Sequence, residues 1–324
     1  MKAILAREFG GPEVLKLEDV PDPVAGAGQV RVRIHAIGVN PYETYMRAGS
    51  YAIKPALPYI PGADAAGVID QVGEGVSALA AGDRVYISGT SLGKALGAYA
   101  QLAVCAPSQV HHLPANISFT QGAGVFVPYV TAWRALFGRA HARPGDTVLV
   151  HGASGGVGVA ATQFASGAGL TVIGTAGTDE GLALVKAQGA THALNHRMPG
   201  YLDQIASLTG GRGPDLIVEM LANVNLDHDL TAIAPGGRIV IIGNRGRVEI
   251  DPRKIMTKDV SVFGLALWGI PEDEIRRAHL AIIAGLASGM LKPMVGTELP
   301  LAEAARAHVK VMEPGARGKI VLIP

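Results

Sequence analysis

Two hydrophobic textures divide the chain. Up to about residue 124, short apolar stretches are broken by Gly and Pro. Residues 29–38 (QVRVRIHAIG) alternate apolar and polar side chains with a period of two, the mark of a half-buried strand. Comparable short strands are expected at 2–7, 13–17, 67–73, 84–88 and 98–104, with one short helix at 41–47 after Asn40. No long helix intervenes, so this part reads as mostly β. From about residue 126 strand and helix alternate: strands at 147–151, 170–175, 192–195, 215–219, 238–243 and 260–267, and helices at 128–140, 157–168, 179–188, 200–208 and 225–233. That succession predicts an α/β fold with a doubly wound parallel sheet of about six strands. Beyond it come helices at 272–288 and 301–312 and a closing strand at 319–323, expected to return to the first lobe. The expected domains are therefore 1–124 plus 268–324, with 125–267 inserted between them.

The inserted part opens on its most informative stretch, residues 147–175. A β-branched strand runs into a turn of small residues, an Ala-rich helix follows, and a second strand closes the unit. The hexad in the turn is Ala153-Ser154-Gly155-Gly156-Val157-Gly158. Small side chains there let the backbone turn tightly against a pyrophosphate, which sits on the amides and positive dipole end of the helix. An NAD-preferring site places an acid roughly 20 residues after the glycines, on the adenosine ribose. Here the second strand ends Gly174-Thr175-Ala176-Gly177-Thr178, without one. Asp179 and Glu180 come later and read as first-turn acids of the next helix. A small neutral strand end leaves room for a 2′-phosphate, so NADPH is the expected cofactor. Thr175 is expected to face that phosphate, and Lys186 is a further phosphate candidate against its reading as a surface-helix lysine.

Composition narrows the chemistry. Lys and Arg number 28 against 27 Asp and Glu, a net charge of +1, so no global field attracts nucleic acid or an anionic membrane. Neither partner is expected. A single cysteine, Cys105, rules out a thiolate cluster, and the adjacent His111 and His112 point to opposite faces of an extended chain. No metal is expected. The opening apolar stretch is too short for a secretory signal, and no segment reaches the ~18 apolar residues of a membrane span. A cytoplasmic setting follows as the expectation.

Several phrases together carry a family resemblance: residues 9–15 (FGGPEVL), 38–41 (GVNP), 61–64 (PGAD), 81–85 (AGDRV), 150–158, 174–178, 195–197 (NHR), 219–225 (EMLANVN) and 291–293 (LKP). From end to end the chain resembles the zinc-free quinone oxidoreductase branch of the medium-chain dehydrogenase/reductase superfamily, most closely its zeta-crystallin-like members. That resemblance implies a GroES-like β domain with a Rossmann domain inserted in it, a cleft between them, NADPH, and a homo-oligomer, dimer or tetramer. It also implies reduction of quinones, with one-electron transfer to ortho-quinones known in the family. Carried onto this sequence, it puts Ser154, Gly155, Gly156 and Val157 at the pyrophosphate, and Gly177 and His196 near the adenosine. Asn225, Ile242, Gly243, Asn244 and Arg245 lie along the cleft, and Tyr45 lies by the nicotinamide. Without a Lewis acid the acceptor must already be electrophilic, a quinone or an enone. Tyr45, Tyr51 and Asn40 are the candidates for polarising or orienting its oxygen, and Thr131 for lining the site. An alkenal or enone reductase, or a non-enzymatic RNA-binding or crystallin-like role, is the alternative. The pocket's shape depends on loops 48–57 and 89–97.

Overall fold

A computed structural model describes residues 1–89 and 97–324, so most of the 89–97 loop lies outside the described residues. The chain forms two compact units. The first comprises Met1–Val127, His279–Glu313 and Gly318–Pro324, and the second Pro128–Ala278 and Pro314–Arg317.

The first unit is built around the ten-residue strand Val30–Val39. Val30, Val32 and Ile34 are buried as the alternation predicts, whereas from Ala36 to Val39 every position is buried, the phase being lost where the pairing with Asp64–Val72 shifts register between Ile34 and Ala36. The strand pairs antiparallel with Asp64–Val72, Leu102–Cys105 and the closing strand Lys319–Ile323. Arg84–Ser88 and Val110–His112 extend one side of the sheet, and Val295–Pro300 extends the other. Lys2–Ala6 and Leu15–Asp19 form a separate antiparallel pair. Val295–Pro300 and Val110–His112 are strands the hydrophobic pattern does not announce. The first carries a Gly and ends in Pro, and it pairs with register irregularity; the second is only three residues long. Register matters here. Ile320 faces Val39 and Gly38 faces Asp64, so Lys319, Asn40 and Asp64 converge at one end of the sheet.

The second unit is the doubly wound sheet. Six parallel strands lie in the order His192–Asn195, Thr171–Ala176, Thr147–Val150, Leu216–Glu219, Arg238–Ile241, Ser261–Gly264. This is the Rossmann order, with the reversal beside Thr147–Val150. Leu149, Ile173, Ile217 and Ile239 are fully buried in its core. Helix Gly156–Gly167 leaves the first strand through the small-residue turn. A Cβ on Gly158 would lie 2.3 Å from the Gly152 carbonyl oxygen and 2.5 Å from the Ala153 Cα. Only glycine lets that helix start this close to the strand. Its first amides have no side-chain cap. Helix Ala222–Ala232 buries Ala222, Leu226, Asp229 and Leu230 on one face, at the spacing of a single helical stripe. The strand at Ser261–Gly264 is the sheet's outer edge, shorter than the apolar run 260–267 suggests, because residues after Gly264 leave the ladder.

Candidate cofactor site and buried polar networks

In parallel sheets of this kind ligands bind outside the carboxyl ends of the strands. Those ends carry His151, Gly177, His196, Glu219 and Ile242. Ser154 is buried in the turn, while Gly155, Gly156 and Val157 are partly exposed at the start of the helix. Asn195 pairs with Ala176, so His196 stands level with Gly177. A Cβ on Gly177 would meet Arg197 Nε and His196 Nε2, both at 2.9 Å. Both side chains are exposed, and the strand end between them has no acid. Two nitrogen donors converging on a bare backbone fit a phosphate group. Burial, followed by the nearby His151 and Arg197, lowers the His196 imidazole from its ordinary range, which leaves Arg197 as the permanent charge.

Thr175 does not face this place. It is fully buried, and its hydroxyl accepts the Gly152 N–H at 3.2 Å, bracing the small-residue turn from beneath. The strand alternation turns Thr175 inward, and Gly177 takes the crevice position. Lys186 donates to the Thr191 carbonyl at 2.7 Å in the last turn of its own helix, which is the surface-helix reading. Ile242 and Gly243 donate backbone N–H groups to the Glu219 carbonyl at 2.8 and 3.3 Å, and the Arg245 N–H reaches Asn223 Oδ1 at 2.9 Å. Asn244 turns its amide onto the Gly246 carbonyl. This segment is thereby stitched to the one carrying Asn225.

Beneath these residues lies a buried cluster. Val218 pairs with Val150, which brings Glu219 beside His151. Asp229, on the buried stripe of its helix, approaches from the other side. His151 Nε2 lies 2.8 Å from Asp229 Oδ1 and 3.5 Å from Glu219 Oε2. Asn225 donates to both Glu219 oxygens at 3.2 Å, and the Leu221 N–H donates to Oε1. Burial pushes both carboxyls up, each to about 7, and pushes the imidazole down. By distance these three donors, all within 4.8 Å, are the one metal-like group among the described residues. They are engaged with one another, however, with His151 Nε2 facing both carboxyls.

The first unit holds a second network. Asn40 is 2% exposed, and all its amide valences are taken: Oδ1 accepts from Lys319 Nζ at 2.5 Å, and Nδ2 donates to Glu43 Oε1 and Asp64 Oδ2, both at 3.1 Å. Lys319 also donates to Asp64 Oδ2 at 2.6 Å, and Asp64 Oδ1 accepts the Val127 N–H at 2.8 Å. Asn40 therefore has no free donor for an acceptor oxygen, and its place at the sheet end is that of a scaffold. Glu43 further accepts the Asn40 and Ala63 N–H groups and the Tyr99 hydroxyl. Tyr99 lies 3.1 Å from His308 Nε2, whose ring contacts Arg47 through Nδ1 at 3.4 Å. Tyr45 and Tyr51, half-buried, stack at 6.4 Å, and Tyr42 lies 5.6 Å from Tyr51. Burial, then Tyr45, raises the Tyr51 phenol to about 12. Thr131, in the second unit, is 4% exposed.

Catalytic zinc does not fit these residues. Cys105 is buried in its strand with its thiol pushed up to about 12 by desolvation, and Asp64, after Ala63, is bound to the Lys319 ammonium.

A doubly wound sheet with a Gly-rich first turn, carried inside a β domain that the chain's last strand completes, defines a medium-chain dehydrogenase/reductase. Residues 26–135 match the alcohol dehydrogenase GroES-like domain, and residues 156–283 match the zinc-binding dehydrogenase family. The chain is 47% identical to a quinone oxidoreductase of Homo sapiens over 325 residues, 100% of this chain and 98% of that one. Among solved structures, an NAD-dependent alcohol dehydrogenase is 33% identical with a TM-score of 0.93, and the Escherichia coli quinone oxidoreductase complexed with NADPH is 30% identical with a TM-score of 0.89. Both alignments cover 100% of each chain. The chain belongs to the quinone oxidoreductase family.

Pattern reading overlooked Arg197, Lys319 and the cluster of His151, Glu219 and Asp229. Arg197 sits in the Asn-His-Arg phrase at a strand end, where a cation was findable. Lys319 meets Asn40 and Asp64 only through sheet register, and His151, Glu219 and Asp229 meet one another only through strand register and a helix stripe.

Proposed function

We propose that this chain is a zinc-independent, NADPH-dependent quinone oxidoreductase. The observation that carries the choice of cofactor is the convergence of His196 and Arg197 on Gly177 at an acid-free strand end. In this reading Ser154, Gly155, Gly156 and Val157 hold the pyrophosphate, and Gly177, His196 and Arg197 the 2′-phosphate. Asn225, Ile242, Gly243, Asn244 and Arg245 line the remainder of the cofactor site. Bound NADPH supplies the reducing equivalents.

In the first unit Tyr45 and Tyr51 are the residues that orient an acceptor, with Asn40 as their scaffold; in the second unit Thr131 is the candidate lining residue. A phenol raised to about 12 stays protonated at neutral pH and donates a hydrogen bond to a carbonyl oxygen without giving up its proton. Such an arrangement suits quinones, which take electrons without protonation at carbon, better than enones, which require it. The test is NADPH oxidation against panels of ortho-quinones, para-quinones and enones, with NADH in parallel and spin resonance to detect a radical product. Faster turnover with NADPH and quinones is expected. No turnover on any quinone would overturn the reading, and activity confined to enones would replace it.

For assembly we propose a dimer through the outer strand Ser261–Gly264, where Val262 is exposed and the sheet has a free edge.

A further inference from the structure

The strongest feature that the reading above leaves unused is the buried cluster of His151, Glu219 and Asp229. Asp229 and Glu219 are both fully buried, and His151 is 3% exposed. Two carboxylates side by side in that setting repel each other and carry a large desolvation cost. The hydrogen bonds indicate how this is resolved. Asp229 Oδ1 receives His151 Nε2, yet Asp229 Oδ2 receives no N–H and no hydroxyl hydrogen, although it is buried. Its neighbour is the Glu219 carboxyl, and a bond between two carboxyl groups requires a proton on one of them. A proton on the Glu219 carboxyl, directed at Asp229, supplies that missing hydrogen. It leaves Asp229 as a carboxylate accepting from both sides, and Glu219 Oε1 free to accept the Leu221 N–H and Asn225 Nδ2.

We propose that Glu219 and Asp229 share one proton, backed by a neutral His151, and that this proton-holding pair is the positioning device for Asn225 and the 219–221 turn at the cofactor site. The inference rests on the reading of the second unit as the NADPH site. Losing the proton sets two buried carboxylates against each other. Glu219 then turns from Asp229, Asn225 loses its anchor, and a second negative charge lies below an anionic cofactor. Cofactor binding and the shared proton therefore support each other.

Other titratable groups face the cluster from the elements around it. Tyr201, on helix Tyr201–Leu208, feels both Asp229 and Glu219, and burial first and these charges second raise its phenol. His196, beyond strand His192–Asn195, feels His151 and Arg197. The Tyr201 phenol is moved up and the His196 imidazole down, both away from the alkaline side of neutrality. Neither accounts for a loss of binding on the alkaline side.

Two measurements test the proposal on the full chain. The first uses the protein without cofactor: infrared difference spectra between pH 6 and pH 9 are expected to show a protonated-carboxyl band that disappears at high pH and is missing in Glu219→Gln. The second is NADPH affinity by fluorescence titration from pH 6 to 9. For the unsubstituted protein the dissociation constant is expected to rise by about tenfold above neutrality, the linkage of one proton. Glu219→Gln keeps an N–H for Asp229 Oδ2 and an oxygen for Leu221 and Asn225, so it is expected to bind NADPH with a flat profile. Asp229→Asn, which breaks the pair from the other side, is expected to weaken binding at every pH. Thermal unfolding of both variants checks that each is folded. No protonated-carboxyl band, or an alkaline loss of affinity that survives in Glu219→Gln, would overturn the shared proton. A band that behaves as expected in a chain that fails to bind NADPH at any pH would instead overturn the cofactor reading, and with it the positioning role.

Discussion

Arg197 is the residue on which the choice between the two nicotinamide cofactors turns. Its side chain is exposed, and its Nε lies with His196 Nε2 2.9 Å from where a Cβ on Gly177 would be. Charge-assisted hydrogen bonds to a phosphate contribute roughly 1.5–3 kcal/mol, and exposure puts this one at the lower end. Arg197→Ala is expected to raise the dissociation constant for NADPH by about tenfold and leave that for NADH unchanged, read by parallel titrations. An equal effect on both cofactors would show that Arg197 does not meet the 2′-phosphate. Lys319 is the corresponding residue of the first unit. Its ammonium is the partner of the fully buried Asp64, so Lys319→Met strands a carboxylate and the Asn40 carbonyl oxygen together. Removing one side of a buried pair costs about 3–5 kcal/mol, and the urea midpoint is expected to fall accordingly. These two residues also show where sequence reasoning stops. Arg197 stands beside a strand end in a recognisable phrase and could have been found. Lys319 meets Asn40 across 279 positions of chain, and no local pattern announces that.

At the scale of elements, alternation and helical periodicity were enough to place the nucleotide sheet, because each of its strands is a short apolar run followed by its own helix. They were less informative where a strand is three residues long or is interrupted by glycine, as at Val110–His112 and Val295–Pro300. The shorter of these carries a consequence for pH. His111, on Val110–His112, stacks at 3.7 Å on His279 of helix Glu272–Ser288, and His279 Nδ1 lies 2.7 Å from the Tyr86 hydroxyl. Burial first, and a neighbouring histidine second, lowers His111 to about 4 and His279 to about 3. Between these values and the ordinary 6.5, the unfolded chain binds protons that the folded unit refuses. Stability is therefore complete above pH 6.5 and is lost as the pH falls toward 4, by about 3 kcal/mol for each histidine. Urea unfolding at stepped pH is expected to show this slope. The double variant His111→Gln, His279→Gln is expected to flatten it, and an unchanged slope would assign the acid sensitivity elsewhere.

For the whole molecule, the proposed dimer rests on the outer strand of the nucleotide sheet. Among the described residues Ser261–Gly264 pairs only with Arg238–Ile241, and an exposed edge of that kind is a template for a second copy. Val262→Lys is expected to convert a dimer into a monomer in light scattering, with the nucleotide sheet intact by circular dichroism. A monomer before substitution would remove the proposal. The division into two units was legible from the change of texture near residue 126, and the return of the tail from the closing strand. The contacts that make the return necessary were not, because they depend on sheet register. That return also bears on biosynthesis. The first unit lacks the strand that neutralises Asp64 until residues 318–324 have been made, while the second unit has its whole sheet by Gly264. Emerging from a ribosome, the domain that begins first waits with an open sheet and an unpaired buried acid, and the domain inserted within it can fold ahead of it.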